Sequence, residues 1–210
     1  IADLLLDDLV EGDAVTVELE YRELRNQRAI CPAMDDKCGL WVVMEALRRV
    51  DKARLQCSLH AVSTVQEEVG LRGARTSAFG IDPQVGIAVD VTHATDCPTI
   101  EKKQEGDVCL GKGPVIYRGP NMNPRLVTRL IDVAKSAEIA HQLAADGRPT
   151  GTDANAIQVT RGGVATALVS IPNRYMHSPV EMISLDDMDR AADLLARLAE
   201  SITPNDDFRP

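Results

Sequence analysis

Leu59-His60-Ala61-Val62-Ser63-Thr64-Val65-Gln66-Glu67-Glu68-Val69-Gly70 is the stretch that decides the fold. From Leu59 to Val65 the run is apolar and rich in β-branched residues, broken by His60 and Ser63. That pattern predicts a buried strand within Arg54 to Val65. Two adjacent carboxylates, Glu67 and Glu68, stand just past its end, and Gly70 signals a turn. In an open α/β sheet, chemistry gathers at the carboxyl ends of strands. One carboxylate there can hold a metal while its neighbour takes a proton from activated water. The competing reading is a solvated acidic pair at a helix N-terminus, where the macrodipole favours negative charge.

Downstream, Gly70 to Phe79 predicts a helix. Pro83 to Val91 (PQVGIAVDV) predicts another buried strand, with Asp90 near its end. A carboxylate ending an otherwise apolar strand is costly unless it is paired or binds a metal. Thr99 to Cys109 reads as surface loop, and Val115 to Tyr117 as a short strand. Pro124 to Ala137 reads as a helix, and Ile139 to Ala145 as a strand. Thr150-Gly151-Thr152-Asp153 opens a short helix running through Val159. Val164 to Ile171 is a strand that Pro172 halts. Asn173 to Pro179 is a loop at that strand's end and carries His177. Asp186 to Ile202 is a strongly amphipathic helix, and Thr203 to Pro210 a loose tail.

Upstream, Asp13 to Glu20 alternates as a half-buried strand, and Arg28 to Cys31 is a short partner strand. Pro32 ends it. Asp35 or Asp36 caps a helix reaching about Val50, with Leu40, Val43, Met44 and Leu47 on one face. One aspartate acting as a cap leaves the other free to face a metal. From Arg54 onward strands and helices alternate, which argues for an α/β sandwich.

Composition narrows the function classes. Of 210 residues, 44% are hydrophobic, which is enough for one substantial core. Aromatic residues make up only 3%, which argues against stacking platforms for single-stranded nucleic acid. A formal charge of −9 repels phosphate backbones and anionic membranes. No run approaches the roughly 18 to 20 apolar residues of a membrane span. The expectation is no nucleic-acid partner and no membrane partner. The five cysteines are scattered and form no C-x-x-C pair. They read as reduced thiols of a cytoplasmic protein rather than a thiolate zinc site.

The acidic and imidazole groups at element ends are Asp35, Glu67, Glu68, Asp90 and His177. Mixed oxygen and nitrogen ligands suit Zn²⁺ or Co²⁺. Three acidic sites and a histidine exceed the need of one ion, and a carboxylate bridging two ions would account for the surplus.

Seven short motifs stand in a telling order. They are Met34-Asp35-Asp36-Lys37-Cys38-Gly39, Val65-Gln66-Glu67-Glu68-Val69-Gly70, Val89-Asp90-Val91-Thr92, Gly111-Lys112-Gly113-Pro114, Arg118-Gly119-Pro120-Asn121, Gly151-Thr152-Asp153-Ala154 and Arg174-Tyr175-Met176-His177-Ser178-Pro179. The set resembles the dinuclear-metal aminopeptidases that form tetrahedral shells, including glutamyl and leucyl aminopeptidases, some of which carry an endoglucanase label. The likeness runs from about Gly12 to Ile202. It implies a three-layer α/β sandwich with a mixed central sheet, preceded at residues 1–31 by the end of a small β-rich dimerisation module. The catalytic domain would span 32–203 and a tail 204–210.

By that resemblance Asp35 bridges two divalent ions, zinc or cobalt. Glu68 and His177 complete one ion's ligands, and Asp90 serves the other. Glu67 is general base and then acid in removing N-terminal residues from peptides. Self-association into dimers and a twelve-subunit shell is also implied. The family carries a further metal-binding histidine, followed two residues on by an aspartate, ahead of the position of Asp35. This chain has no histidine before Asp35. The expectation is therefore that the N-terminal part of the catalytic domain and most of the module are missing, leaving the second ion under-ligated. Two other readings stand beside the aminopeptidase. One is a non-catalytic scaffold or assembly protein that keeps the fold. The other is a related metallohydrolase, a deacetylase or a carboxypeptidase.

Overall fold

A computed structural model describes residues 10, 12–13, 18–98 and 100–208. The elements in chain order are β1 (Arg22–Leu24), β2 (Arg28–Ile30), α1 (Met34–Arg49), α2 (Arg72–Ile81), β3 (Val85–His93), α3 (Lys102–Glu105), β4 (Val115–Arg118), α4 (Pro124–Ser136), β5 (Gln142–Ala145), α5 (Asp153–Ile157), β6 (Ala165–Asn173), β7 (Met182–Ser184) and α6 (Leu185–Ser201). The main sheet has four strands in the order β3-β6-β4-β5. β3 runs parallel to β6, β4 antiparallel to β6, and β5 parallel to β4. The sheet is mixed, and the class is α/β.

β6 is the spine, with Thr166 to Asn173 all buried. A strand covered on both faces reads as a continuous apolar run, and ATALVSI obeys that rule. On one face lie α1 and α6, whose Val42, Ala46, Leu194 and Leu198 join Leu168 and Ile171 in the core. On the other lies α5. A Cβ on Gly86 of β3 would come within 2.6 Å of the Ile157 methyl, so glycine lets that helix approach closely. Asn123 caps α4 by accepting the Leu126 N–H at 3.0 Å, and Pro124 follows at the first helical position. A second sheet, β1-β2-β7, is antiparallel throughout. Among the described residues no helix is long and apolar enough to cross a membrane.

Several expectations need correction. The strand expected over Arg54 to Val65 makes no ladder; the segment is irregular. Its side chains still alternate, with Leu55, Cys57, Leu59 and Ala61 half-buried and Gln56, Ser58, His60 and Val62 exposed. The chemistry is strand-like, but no strand among the described residues pairs with it. Pro172 does not halt β6, which runs to Asn173. β4 pairs with β6 only at Val169 and Ser170, so beyond them a residue lacking N–H is tolerated.

In α1 the stripe that is buried is Cys38, Val42 and Ala46, while Leu40, Met44 and Leu47 are exposed. The small residues let the helix lie close against the core and turn the larger ones outward. The tail is docked rather than loose. Phe208 is buried in the core, its carbonyl accepts from Asn123 Nδ2, and Asp206 pairs with Arg129. Lys102–Glu105 forms a single helical turn inside the expected loop, capped by Glu101. Strand β7, where no element was expected, pairs with β2. For the strand expected over Asp13 to Glu20, residues 14–17 lie outside the described residues, as do residues 1–9 of the expected module.

Candidate metal centre

The two aspartates at the start of α1 divide between them a helix-capping position and one that faces His177. Both have non-helical backbone angles. Asp36 turns inward, and its Oδ1 accepts the Gly39 N–H at 2.9 Å, capping the regular part of the helix. Only glycine fits at 39, because a Cβ there would lie 2.3 Å from the Asp36 carboxylate. Asp35 points the other way.

Glu67 and Glu68 sit in a tight loop instead of at a strand end. The Gly70 and Leu71 N–H groups bond the Glu67 carbonyl at 3.1 and 2.9 Å, and Gly73 N–H bonds the Val65 carbonyl at 2.8 Å. A Cβ on Gly73 would come within 2.2 Å of the Val65 nitrogen. The loop is thus clamped onto the start of α2. Glu67 is half-buried and Glu68 exposed, so the neighbouring carboxylates face different surroundings.

His177 lies in the loop after β6, with left-handed backbone at φ 61. Its Nε2 is 3.1 Å from Asp35 Oδ2 and 4.0 Å from Glu68 Oε1. One ligand atom from each of Asp35, Glu68 and His177 falls within 4.8 Å of the other two. Two carboxylates and an imidazole so arranged could hold a divalent metal ion. Asp90 does not join that group. It lies half-buried on β3, just before the buried Val91, whose N–H it accepts at 2.7 Å. With Asp36, Glu67, Thr64 and Asp153 it lines an adjoining cavity of about 380 Å³. Among the described residues no second group of three such donors assembles.

The carboxylates press on one another. Burial first, and then the charges of Asp153, Glu68 and Asp35, push Glu67 up to about 7. Burial, with Glu67, Asp35 and Asp153 adding to it, pushes Asp90 up to about 7 against the Val91 hydrogen bond. Burial and then Asp90 push Asp36 up to about 9. Asp35 is also raised, by burial and then by Glu68 and Glu181, while His177 opposes the shift. Crowded acids that resist ionisation are what a bound cation relieves.

Two carboxylates beside these groups carry no role in the sequence reading. Asp153, at the start of α5, accepts the Thr64 hydroxyl at 2.6 Å, which ties α5 to the segment leading into Glu67. Its other oxygen is buried without a partner among the described residues. Glu181 is buried and bonds the backbone of both Asp35 and His177. The sequence signal for Glu181 is one acid between Val180 and Met182 at the edge of a short apolar stretch. Arg174, which opens the His177 loop, is gripped by Asp96 at 2.8 and 2.7 Å.

A family profile described as M42 glutamyl aminopeptidase matches residues 8–194. A lysyl aminopeptidase of Pyrococcus furiosus is 44% identical over 192 residues, which are 90% of this chain and 53% of that protein. Among solved structures, a TET aminopeptidase of a Thaumarchaeota archaeon superposes with a TM-score of 0.81 at 34% identity, covering 88% of this chain and 52% of that one. A Pyrococcus horikoshii TET1 peptidase, described as able to assemble into a tetrahedron or a large octahedral shell, superposes with a TM-score of 0.73 at 30% identity, covering 87% and 53%. The chain spans about half the length of the curated relatives it matches.

Proposed function

Because this chain belongs to the M42 glutamyl aminopeptidase family, we propose that the intact gene product is a metal-dependent aminopeptidase that removes N-terminal residues from peptides. The observation that carries the reading is the approach of Asp35, Glu68 and His177, from the start of α1 and two separate loops, to within 4.8 Å, with Glu67 next in chain to one of them. Asp35, Glu68 and His177 would hold one divalent ion. Asp35 and Asp90 would contribute to a second, zinc or cobalt in each case. When bound, such ions supply a Lewis acid that lowers the pKa of water and polarises a carbonyl oxygen.

Glu67 is the proton carrier in this reading. Half-buried and raised toward neutrality, its carboxyl would accept a proton from the attacking water and return it to the leaving amine. The surrounding acids favour a cationic substrate end, which suits a free peptide N-terminus. Self-association into a closed shell is part of the proposal, resting on the assembly described for the Pyrococcus horikoshii relative. A reducing, cytoplasmic setting fits the five free cysteines.

The test is release of a chromophore from aminoacyl anilides by the intact gene product. Chelation should abolish it, and Zn²⁺ or Co²⁺ should restore it. Glu67→Gln should lower kcat by about 10²- to 10⁴-fold, the usual worth of a positioned acid–base group, with bound metal unchanged. Chelator-insensitive turnover, or a Glu67→Gln enzyme close to wild type, would contradict the reading.

A further inference from the structure

Glu181 is only 2% exposed and lies outside the proposed ligand set, yet it joins two members of that set. Its Oε2 accepts the Asp35 N–H at 3.0 Å, and its Oε1 accepts the His177 N–H at 2.8 Å. Its carbonyl accepts the Cys31 N–H at 3.1 Å, so the residue is anchored to the chain just ahead of α1 as well. A buried carboxylate is expensive to keep, and here both oxygens are spent on backbone N–H groups.

The His177 N–H belongs to a loop that does not hold its shape unaided: Tyr175 and His177 are left-handed at φ 60 and 61, whereas the Asp35 N–H belongs to the extended backbone that opens α1. Non-glycine residues persist in left-handed conformations only where their surroundings over-determine them. A single carboxylate gripping both stretches supplies that constraint, and it sets where Asp35 Oδ2 and His177 Nε2 stand, 3.1 Å apart.

We propose that Glu181 is a positioning residue for the metal centre: its carboxylate fixes the Asp35 and His177 loops in register, so that the two ligands meet a divalent cation already arranged. The inference rests on the metal-site reading above. It adds that the spacing of the two ligands is set by a third side chain that never touches the ion. Partners of this kind orient ligands and raise affinity in metal sites generally.

The experiment uses the intact gene product and its Glu181→Gln and Glu181→Asp variants, with Zn²⁺ as the probe. Gln keeps the shape but turns a donor toward an N–H; Asp keeps the charge but is too short to reach both loops. Zinc affinity is measured by competition with a chromogenic chelator, and the metal-free unfolding midpoint is measured alongside. Both variants should fold without metal and bind zinc about 10- to 100-fold more weakly, the span typical of lost ligand-orienting contacts. A folded variant that binds zinc as wild type does would overturn the inference and leave the metal-site reading intact. Loss of the metal-free fold in both variants would also overturn it, since the role would then be structural. Wild-type protein that binds no zinc would remove the reading itself, and this inference with it.

Discussion

At Asp35 and Asp36, neighbouring residues of one type do different work because the backbone turns between them. Asp36 is spent on Gly39, and burial followed by the charge of Asp90 raises it to about 9. A carboxyl whose folded pKa lies above its unfolded value of about 4 stabilises nothing when ionised. Below that value both states hold the proton and the shift has no effect. As pH rises through the window, the unfolded chain releases its proton first, and the fold loses stability relative to it. For Glu67 and Asp90 the window runs up to about 7, and for Asp36 up to about 9. A bound divalent cation favours the ionised forms and cancels the penalty. Unfolding midpoints with chelator and with zinc should therefore draw apart between about pH 5 and about pH 8. A gap of the same width at both would show that these carboxylates do not meet the ion.

At the scale of elements, the loop of Glu67 and Glu68 owes its shape to close packing against α2. Gly73→Ala would drive a methyl to 2.2 Å from the Val65 nitrogen. Overpacking of this kind costs about 1–3 kcal/mol, so the urea midpoint should fall and zinc affinity with it. An unchanged midpoint would mean the loop yields freely. A second support lies at the glycine-rich turn, where buried Asp187 accepts the Gly111 and Gly113 N–H groups, both at 2.7 Å. Asp187→Ala would strand the buried Gly113 N–H at about 1–3 kcal/mol, read as a lower denaturant midpoint.

The elements most legible in the sequence were those with a long period. α4, α6, β3 and β6 are each within about two residues of expectation because their apolar patterns are unambiguous. Arg54 to Val65 misled because an apolar, β-branched run favours extended backbone, whereas a strand also needs a partner. The three residues of β7 are too few for any pattern. Asp35, Glu67, Glu68 and His177 stood out as acids and an imidazole at element ends. Glu181 did not, because its partners are backbone N–H groups, which every residue but proline offers. The docking of Phe208 was hidden because a lone aromatic in a polar tail carries no period.

For the molecule as a whole, α1, the segment before α2 and α2 itself expose large apolar side chains. Leu40, Met44, Val62, Val65, Val69 and Phe79 are all exposed. Patches of that kind mark surfaces that are covered in the working state, which agrees with the self-association proposed above. Light scattering of the intact gene product should report a multimer; a monomer at micromolar concentration would contradict that part of the account. The central claim is that side chains remote in the chain converge on a divalent cation. Its most direct test is anomalous diffraction from crystals of the intact gene product soaked in Zn²⁺ or Co²⁺. The account predicts a metal peak within coordination distance of Asp35, Glu68 and His177, lost in Asp35→Ala. A fully loaded crystal with metal only elsewhere, or none at all, would contradict it.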